Sequence, residues 1–397
     1  MDQEGFRRRV RDPVPAVASQ ATRSTLRAVD FFCGAGGMTH GLLSAGLDVL
    51  GGIDNHLPSK ETYEHPDNNV RPGGQSLHFI HADISEYDPD DLATRLEIEE
   101  NDDALAFAGC SPCQYWSKLN TSRERSAASS ALLEHFCRFV DAFRPGYVVV
   151  ENVPGLRTKA ANSGLTAFLG FLEKAGYVYD HDTVAVCLHG VPQKRSRYLL
   201  IATRVCRHGT KPAISLPEPE KTKNGPFPEN MKLKYHIGVR KGFRALDAGS
   251  RCEDPPLHWA AGLSAQNLQR VRKTPKNGGS RDAWKDDVDL QIDAYRGRDE
   301  IFRDVYGRMR WNEPASTITT RFNSLSNGRF GHPAEDRAIS LREGAVLQTF
   351  PLSYVFPKNC SEAARQIGNS VPPELARRIG CRIDEHYRSV QDEEARG

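Results

Sequence analysis

The sequence predicts an α/β fold, a largely parallel sheet joined to a second, smaller, loop-rich domain, and three observations predict it. From residue 26 to about 202, short β-branched or apolar runs alternate with helical stretches, the texture of a sheet with helices packed on it. A glycine-rich turn, Cys33-Gly34-Ala35-Gly36-Gly37, follows the first strand and opens the first helix. Between Cys206 and Glu335 the chain becomes rich in Gly, Pro, Asn and basic residues with little periodicity, and regular patterning returns at Arg337. The expected organisation is a mobile arm over 1–24, a main domain over 25–205, a second domain over 206–335, and a return segment over 336–397 where regular patterning resumes.

Composition narrows the setting. Nine cysteines, odd in number and unpatterned, fit a reducing compartment and point to a cytoplasmic protein. Arg7, Arg8, Arg9 and Arg11 have no apolar run behind them, so they suggest neither a signal peptide nor a membrane anchor, and no stretch approaches the ~20 apolar residues of a membrane helix. The formal net charge of +2 is unevenly spread: residues 206–335 hold 23 Lys+Arg against 16 Asp+Glu, a local +7 that leaves −5 elsewhere. Such asymmetry suits a polyanionic partner, although a basic loop can also be merely solvated.

The elements follow in order. Leu26 to Phe32 reads as a strand, and Met38 to Ala45 as a short helix after the glycine turn. The turn lets a ligand approach the backbone, but its glycines are not spaced G-x-G-x-x-G, so a dinucleotide is not indicated. The strand Asp48 to Ile53 ends in Asp54-Asn55, and His78 to Ala82 ends in Asp83-Ile84. Either aspartate alone is more often a cap or turn former; together, after a glycine turn, they suit a ribose and an adenine. The strand Ala104 to Ala108 leads to Cys113, and a polar loop, Lys118 to Ser130, precedes an amphipathic helix, Ala131 to Phe143. A buried strand, Tyr147 to Val150, ends in Glu151-Asn152-Val153. A helix to Lys174, a strand Tyr177 to Cys187 and a strand Tyr198 to Ala202 come next, with Arg195 and Arg197 alternating about Ser196 so that both can face one side. Late in the chain Ser340 and Glu343 form a capping-box pattern at a helix, and Glu374 to Tyr387 is the last helix.

The loop Gly109-Cys110-Ser111-Pro112-Cys113-Gln114 is where a reactive group stands at a strand end. Cys110 and Cys113 form a Cys-x-x-Cys, but the other cysteines are scattered singly, which argues against a zinc site or a redox pair. A buried structural cysteine is the commoner fate of a free thiol, yet it does not explain a cysteine between Pro and Gln in a polar loop.

In this order these motifs resemble the DNA (cytosine-5) methyltransferases: DFFCGAGG at 30–37, Asp54, Asp83-Ile84, Pro-Cys-Gln at 112–114, Glu151-Asn152-Val153, Gln-x-Arg-x-Arg at 193–197, REGAVLQTFP at 342–351 and QIGNSVPP at 366–373. The resemblance covers 30–202 and 337–385, and the unmatched middle is where this family places its variable target recognition domain. It implies a Rossmann-like sheet that binds S-adenosylmethionine, with Phe32, Gly34, Ala35 and Gly37 around the donor, Asp54 and Asn55 at the ribose, and Asp83 and Ile84 at the adenine. Pro112, Leu132, Asn369, Ser370 and Val371 complete that pocket. It implies a catalytic set of Cys113, Glu151, Arg195 and Arg197, and no metal. Ser111 and Trp116 depart from the usual Pro and Phe, and no Cys-Phe-Thr of the RNA-modifying branch is present.

The implied chemistry suits these residue types. Carbon 5 of cytosine becomes nucleophilic only after a thiolate adds at carbon 6, and Cys113 needs nearby cations such as Arg195 and Arg197 to ionise. Glu151 would carry a proton at the N3 edge, Arg197 would hold O2, and Arg195 would orient Glu151 or a phosphate. The base must leave the duplex to be reached. Gln114, Ser117, Arg240, Lys241, Arg244, Arg270, Arg272 and Lys273 are the candidate contacts to double-stranded DNA. A monomer near the nucleoid, with a restriction endonuclease as system partner, is the expected setting. A catalytically silent DNA-binding copy and an RNA methyltransferase are the alternatives.

Overall fold

The computed structural model describes residues 25–75, 77–110, 123–158, 163–206, 211–222, 225–238, 243–296 and 301–395. Its strands are β1 (Arg27–Phe31), β2 (Asp48–Asp54), β3 (His78–His81), β4 (Leu105–Gly109), β5 (Tyr147–Asn152), β6 (Val178–Ala185), β7 (Ser196–Thr203), β8 (Arg251–Cys252) and β9 (His258–Trp259). The helices are α1 (Gly37–Ser44), α2 (Lys60–Tyr63), α3 (Pro89–Leu96), α4 (Arg123–Phe143), α5 (Gly155–Thr158), α6 (Leu165–Lys174), α7 (Ala265–Lys273), α8 (Leu341–Leu347), α9 (Cys360–Asn369) and α10 (Pro373–Glu394). Contacts divide the chain into two compact units. One contains the described residues up to His189, Ser196–Pro219 and the chain from Ser370; the other contains Gly190–Arg195 and Glu220–Asn369.

The first unit is built on a seven-stranded sheet ordered β3-β2-β1-β4-β5-β7-β6, parallel except that β7 runs against both neighbours. Every residue of β5 is buried, as its continuous apolar run requires of a strand covered on both faces. The strand order reverses between β1 and β4, so the carboxyl ends of these strands flank the crevice where such sheets place ligands. One face is closed by α4, whose Leu133, Phe136, Phe139, Val140 and Phe143 recur at helical spacing and are buried. Phe136 and Phe139 meet Phe31 of β1 with ring centroids 5.1 and 5.2 Å apart. Gly109 makes this fit possible, since a Cβ there would lie 2.9 Å from the Phe136 ring. The opposite side carries α1 against α10, where a Cβ on Gly41 would lie 2.3 Å from that of Ala376.

One sequence expectation changes here. The helix α4 begins at Arg123, inside the stretch read as a polar loop up to Ser130, because Ser, Ala, Glu and Arg are all compatible with a helical backbone and apolar periodicity alone cannot locate such a start. Contacts group residues 336–369 with the second unit, and the change of unit falls between Asn369 and Ser370.

The reason lies in polar burial within that second unit. The capping box is present, Ser340 Oγ accepting from Glu343 N while Glu343 accepts from Ser340 N. Glu343 also takes two bonds from Arg337, at 2.7 and 2.9 Å, with both side chains fully buried. Arg342, likewise buried, donates to the carbonyls of Pro256, Pro351 and Tyr354. A separate core of Val271, Trp284, Leu290, Val305, Tyr306, Leu325 and Ala338 lies in the same unit.

Candidate active site

The glycine turn is shaped by its backbone. Phe32, Gly34 and Gly36 have φ of 61, 49 and 84°, so the chain makes three left-handed steps, one of them at a bulky residue. A Cβ on Gly34 would meet nothing within 4 Å, so open space lies beside the turn. Asp54, at the end of β2, fixes the turn: its Oδ2 accepts from Gly34 N at 2.9 Å and its Oδ1 from His56 N at 2.7 Å. Gly52, two residues earlier, lets the turn lie close, because a Cβ there would be 2.6 Å from Cys33 Cβ and from the Tyr63 hydroxyl.

Asp83 follows β3 on the same edge of the sheet. Bonds from the Ser85 N–H and hydroxyl, at 2.9 and 2.7 Å, and from Asn55 Nδ2 at 3.2 Å hold its carboxyl below the usual range, the backbone bond most of all. Ile84 is a core residue, 3% exposed, and Asn55 is exposed. Leu132 is half-buried on α4, and Ala35 and Gly37 are buried beneath the turn. Ser370 and Val371 are buried in the first unit, whereas Asn369 is an exposed residue at the end of α9 in the second.

Beneath the turn lies a group that motif reading had not singled out for a role. Asp30, fully buried in β1, accepts at Oδ2 from Thr39 N at 3.1 Å and Thr39 Oγ1 at 2.7 Å, while its Oδ1 has no partner. The Tyr63 hydroxyl is 3.0 Å from Thr39 Oγ1. Burial pushes the Asp30 carboxyl up to about 7 against the bonds from Thr39, and burial with the nearby charges of Asp54 and Asp30 pushes the Cys33 thiol well up. The available signal was an acid in the middle of an apolar strand, which must find donors or carry a proton.

At the end of β5, Glu151 is 4% exposed and its Oε1 lies 2.9 Å from Arg197 Nε across the β5–β7 pair. Neither atom has an aligned hydrogen-bond partner, so the two charges touch without a well-directed bond. Arg197 Nη1 donates to Ser196 O at 2.9 Å. Gly109 of β4 is the register partner of Val150, so the chain leaving β4 toward residue 113 starts beside Glu151. Pro112, Cys113, Gln114 and Ser117 themselves lie outside the described residues, as do Arg240 and Lys241.

Arg195 precedes β7 and is grouped with the second unit, where its Nη1 is 3.3 Å from Ile318 O and from Gln348 Oε1. It lies just outside β7, which begins at Ser196. The neighbouring Gln193 is fully buried, donates to Leu347 O and Gln348 Oε1, and accepts from Ile318 N. Gln348 in turn donates to Ile367 O. The glutamines of two separate sequence motifs thus tie one buried polar network, which ends on the backbone of a third.

Among the expected DNA contacts, Arg244 and Arg272 are exposed and only loosely paired, with Asp254 at 3.8 Å and Asp336 at 3.9 Å, and Lys273 is exposed beside Asp287. Arg270 departs from the expectation. It is 7% exposed, lies over the rings of Trp284 and Tyr306, and donates to Leu290 O, Asn267 Oδ1 and Gln291 O. Its donors hold the fold from within, and reaching a phosphate would leave those acceptors unpaired.

Open space at Gly34 lies beside a turn whose neighbouring strand ends carry the Asp54 and Asp83 carboxylates, acceptors of the type that suits the hydroxyls and amino group of a nucleoside. Comparisons with known proteins give the family. A family model of the C-5 cytosine-specific DNA methylases matches residues 26–385. The Type II methylase M.HgiDII of Herpetosiphon aurantiacus is 36% identical over 360 residues, covering 89% of this chain and 94% of its own. The Type II methyltransferase M.AgeI of Thalassovita gelatinovora is 25% identical, covering 89% and 97%. Among solved structures, the S. pombe Dnmt2 methyltransferase superposes with a TM-score of 0.56 at 16% identity, over 89% of this chain and 96% of its own, a likeness of fold. With a family model over nearly its whole length and a relative above one-third identity, this chain belongs to the C-5 cytosine-specific DNA methylases and is a DNA (cytosine-5)-methyltransferase.

Proposed function

We propose that the protein transfers a methyl group to carbon 5 of a cytosine flipped out of a specific duplex DNA sequence, through a transient bond between Cys113 and carbon 6. The observation that most supports this is the register of Gly109 beside Val150, which starts the Cys113 loop at the strand end occupied by the buried Glu151–Arg197 pair. The family uses S-adenosylmethionine, which supplies an electrophilic methyl on its sulfonium. Asp54 would take its ribose hydroxyls and Asp83 its adenine amino group, above the turn at Phe32, Gly34, Ala35 and Gly37.

In the chemical step the Cys113 thiolate adds to carbon 6 and electron density moves toward N3 and carbon 5. Glu151, after taking a proton from water, gives it to N3, and Arg197 holds O2. Carbon 5 would then take the methyl that the sulfonium of the donor gives up on becoming a neutral thioether; loss of the carbon 5 proton to water and elimination of the thiolate restore the ring, and the N3 proton returns to Glu151. Arg244, Arg272 and Lys273, with Gln114, Ser117, Arg240 and Lys241, would meet the DNA. Similarity to Type II methylases supports a role in modification beside a cognate restriction endonuclease.

The test is tritiated methyl transfer to duplex DNA and to transfer RNA in parallel, with trapping on 5-fluorocytosine DNA. The expected outcome is label in DNA and a denaturant-resistant adduct that Cys113→Ala abolishes. Label confined to RNA, or methylated DNA without any adduct, would overturn the corresponding part.

A further inference from the structure

Residues 317–322 belong to no helix or strand, yet they are held from several sides within the second unit. Ile318 N donates to Gln193 Oε1 at 2.9 Å, and Ile318 O lies 3.3 Å from Arg195 Nη1. Thr317 Oγ1 donates to Lys194 O at 3.2 Å. Two helices close on the segment at distances that only glycine permits. A Cβ on Gly368 of α9 would lie 2.3 Å from Thr319 C and 2.5 Å from Thr320 N, and one on Gly344 of α8 would lie 2.1 Å from the Phe322 ring. Ile318 and Phe322 are buried at 1% and 0%, while Thr319, Thr320 and Arg321 between them are exposed.

Arg321 differs from the other arginines of this unit. Arg272, Arg310 and Arg329 face carboxylates, Arg308 and Arg342 donate to carbonyls, and Arg251 lies over Trp259. Arg321 has no carboxylate, carbonyl or ring partner among the described residues. A guanidinium unpaired among the described residues, on a backbone fixed by five neighbours, is preorganised: binding must order only the side chain, while the peptide is already in place.

We infer that Arg321, with the Thr320 hydroxyl beside it, grips a phosphate of the duplex. A guanidinium and a hydroxyl together match phosphate oxygens, and such contacts set the position of a protein on DNA without reading sequence. This rests on the reading that duplex DNA is the substrate.

The test compares wild type, Arg321→Ala and Arg321→Lys as full chains binding a duplex that carries the mapped methylation site, across a salt series. One phosphate contact contributes about 0.9 to the slope of log K against log salt, so the affinity ratio of wild type to Arg321→Ala should shrink about 3.5-fold between about 50 and about 200 mM salt. Arg321→Lys should keep the slope, and both variants should keep the wild-type methylation positions, KM for S-adenosylmethionine and thermal midpoint. An unchanged slope in Arg321→Ala overturns the inference, as does a loss of discrimination confined to one base pair, which would mark a base reader. A wild-type protein that neither binds nor methylates duplex DNA overturns the underlying function instead; a wild type that methylates while Arg321→Ala binds identically overturns this inference alone.

Discussion

Arg197 Nε and Glu151 Oε1 are 2.9 Å apart in a buried position, yet they are not aligned as a hydrogen bond. A buried ion pair recovers its desolvation cost only with good geometry, so this pair offsets less of that cost than an aligned one would. Glu151→Gln, which removes the acid and keeps the shape, should lower single-turnover methylation by roughly 10²-fold or more while leaving binding of S-adenosylmethionine within about twofold. Arg197→Ala strands the carboxylate and should lower the unfolding free energy by about 3–5 kcal/mol in urea titration. Unchanged single-turnover rates in Glu151→Gln would remove Glu151 from the chemistry.

Asp54 ties the glycine turn through Gly34 N, and in the proposed reading its carboxylate takes the ribose of the donor. Asp54→Ala should raise KM for S-adenosylmethionine by about 10- to 100-fold, the value of one or two charged hydrogen bonds, with duplex affinity unchanged. Isothermal titration with each ligand separates the two effects.

Asp30 makes stability depend on pH. Its folded carboxyl titrates at about 7 against an ordinary 3.8, so the folded state holds a proton that the unfolded chain releases earlier. The contribution is intact below about pH 4 and is lost as pH rises through about 7. Asp30→Asn, which cannot ionise, should therefore gain stability relative to wild type across that window. Urea midpoints of both proteins from pH 5 to pH 8 on the order of one-unit steps check it; parallel curves would show that Asp30 does not titrate there.

Glu343 has the opposite sign. Burial would raise its carboxyl, but the charge and two bonds of Arg337 hold it down at about 2. Its contribution is present above its ordinary 4.5 and lost as pH falls toward 2. Arg337→Met should cost about 3–5 kcal/mol, and adding Glu343→Leu should recover part of that because no unpaired charge then remains. A double-mutant cycle by chemical denaturation measures the coupling.

Gly52→Ala should destabilise by about 1–3 kcal/mol, since the added Cβ meets Cys33 and the Tyr63 hydroxyl at 2.6 Å and neither can withdraw from the packed turn. A lowered thermal midpoint together with weaker donor binding is the expected pair of results.

The sequence by itself determined the α/β class, the strands ending in Asp54, Asp83 and Glu151, and the Ser340–Glu343 cap, because these depend on patterns within a few residues of one another. It also carried the family motifs. Tertiary structure alone decided that Arg270 is an internal tie, that Arg195 bonds to Ile318 and Gln348, and that Gly368 and Gly344 clamp an exposed coil. A charged side chain reads the same in sequence whether it faces water or a buried carbonyl. The difference arises from partners 20 to 153 residues away, brought near only when the apolar faces between them close.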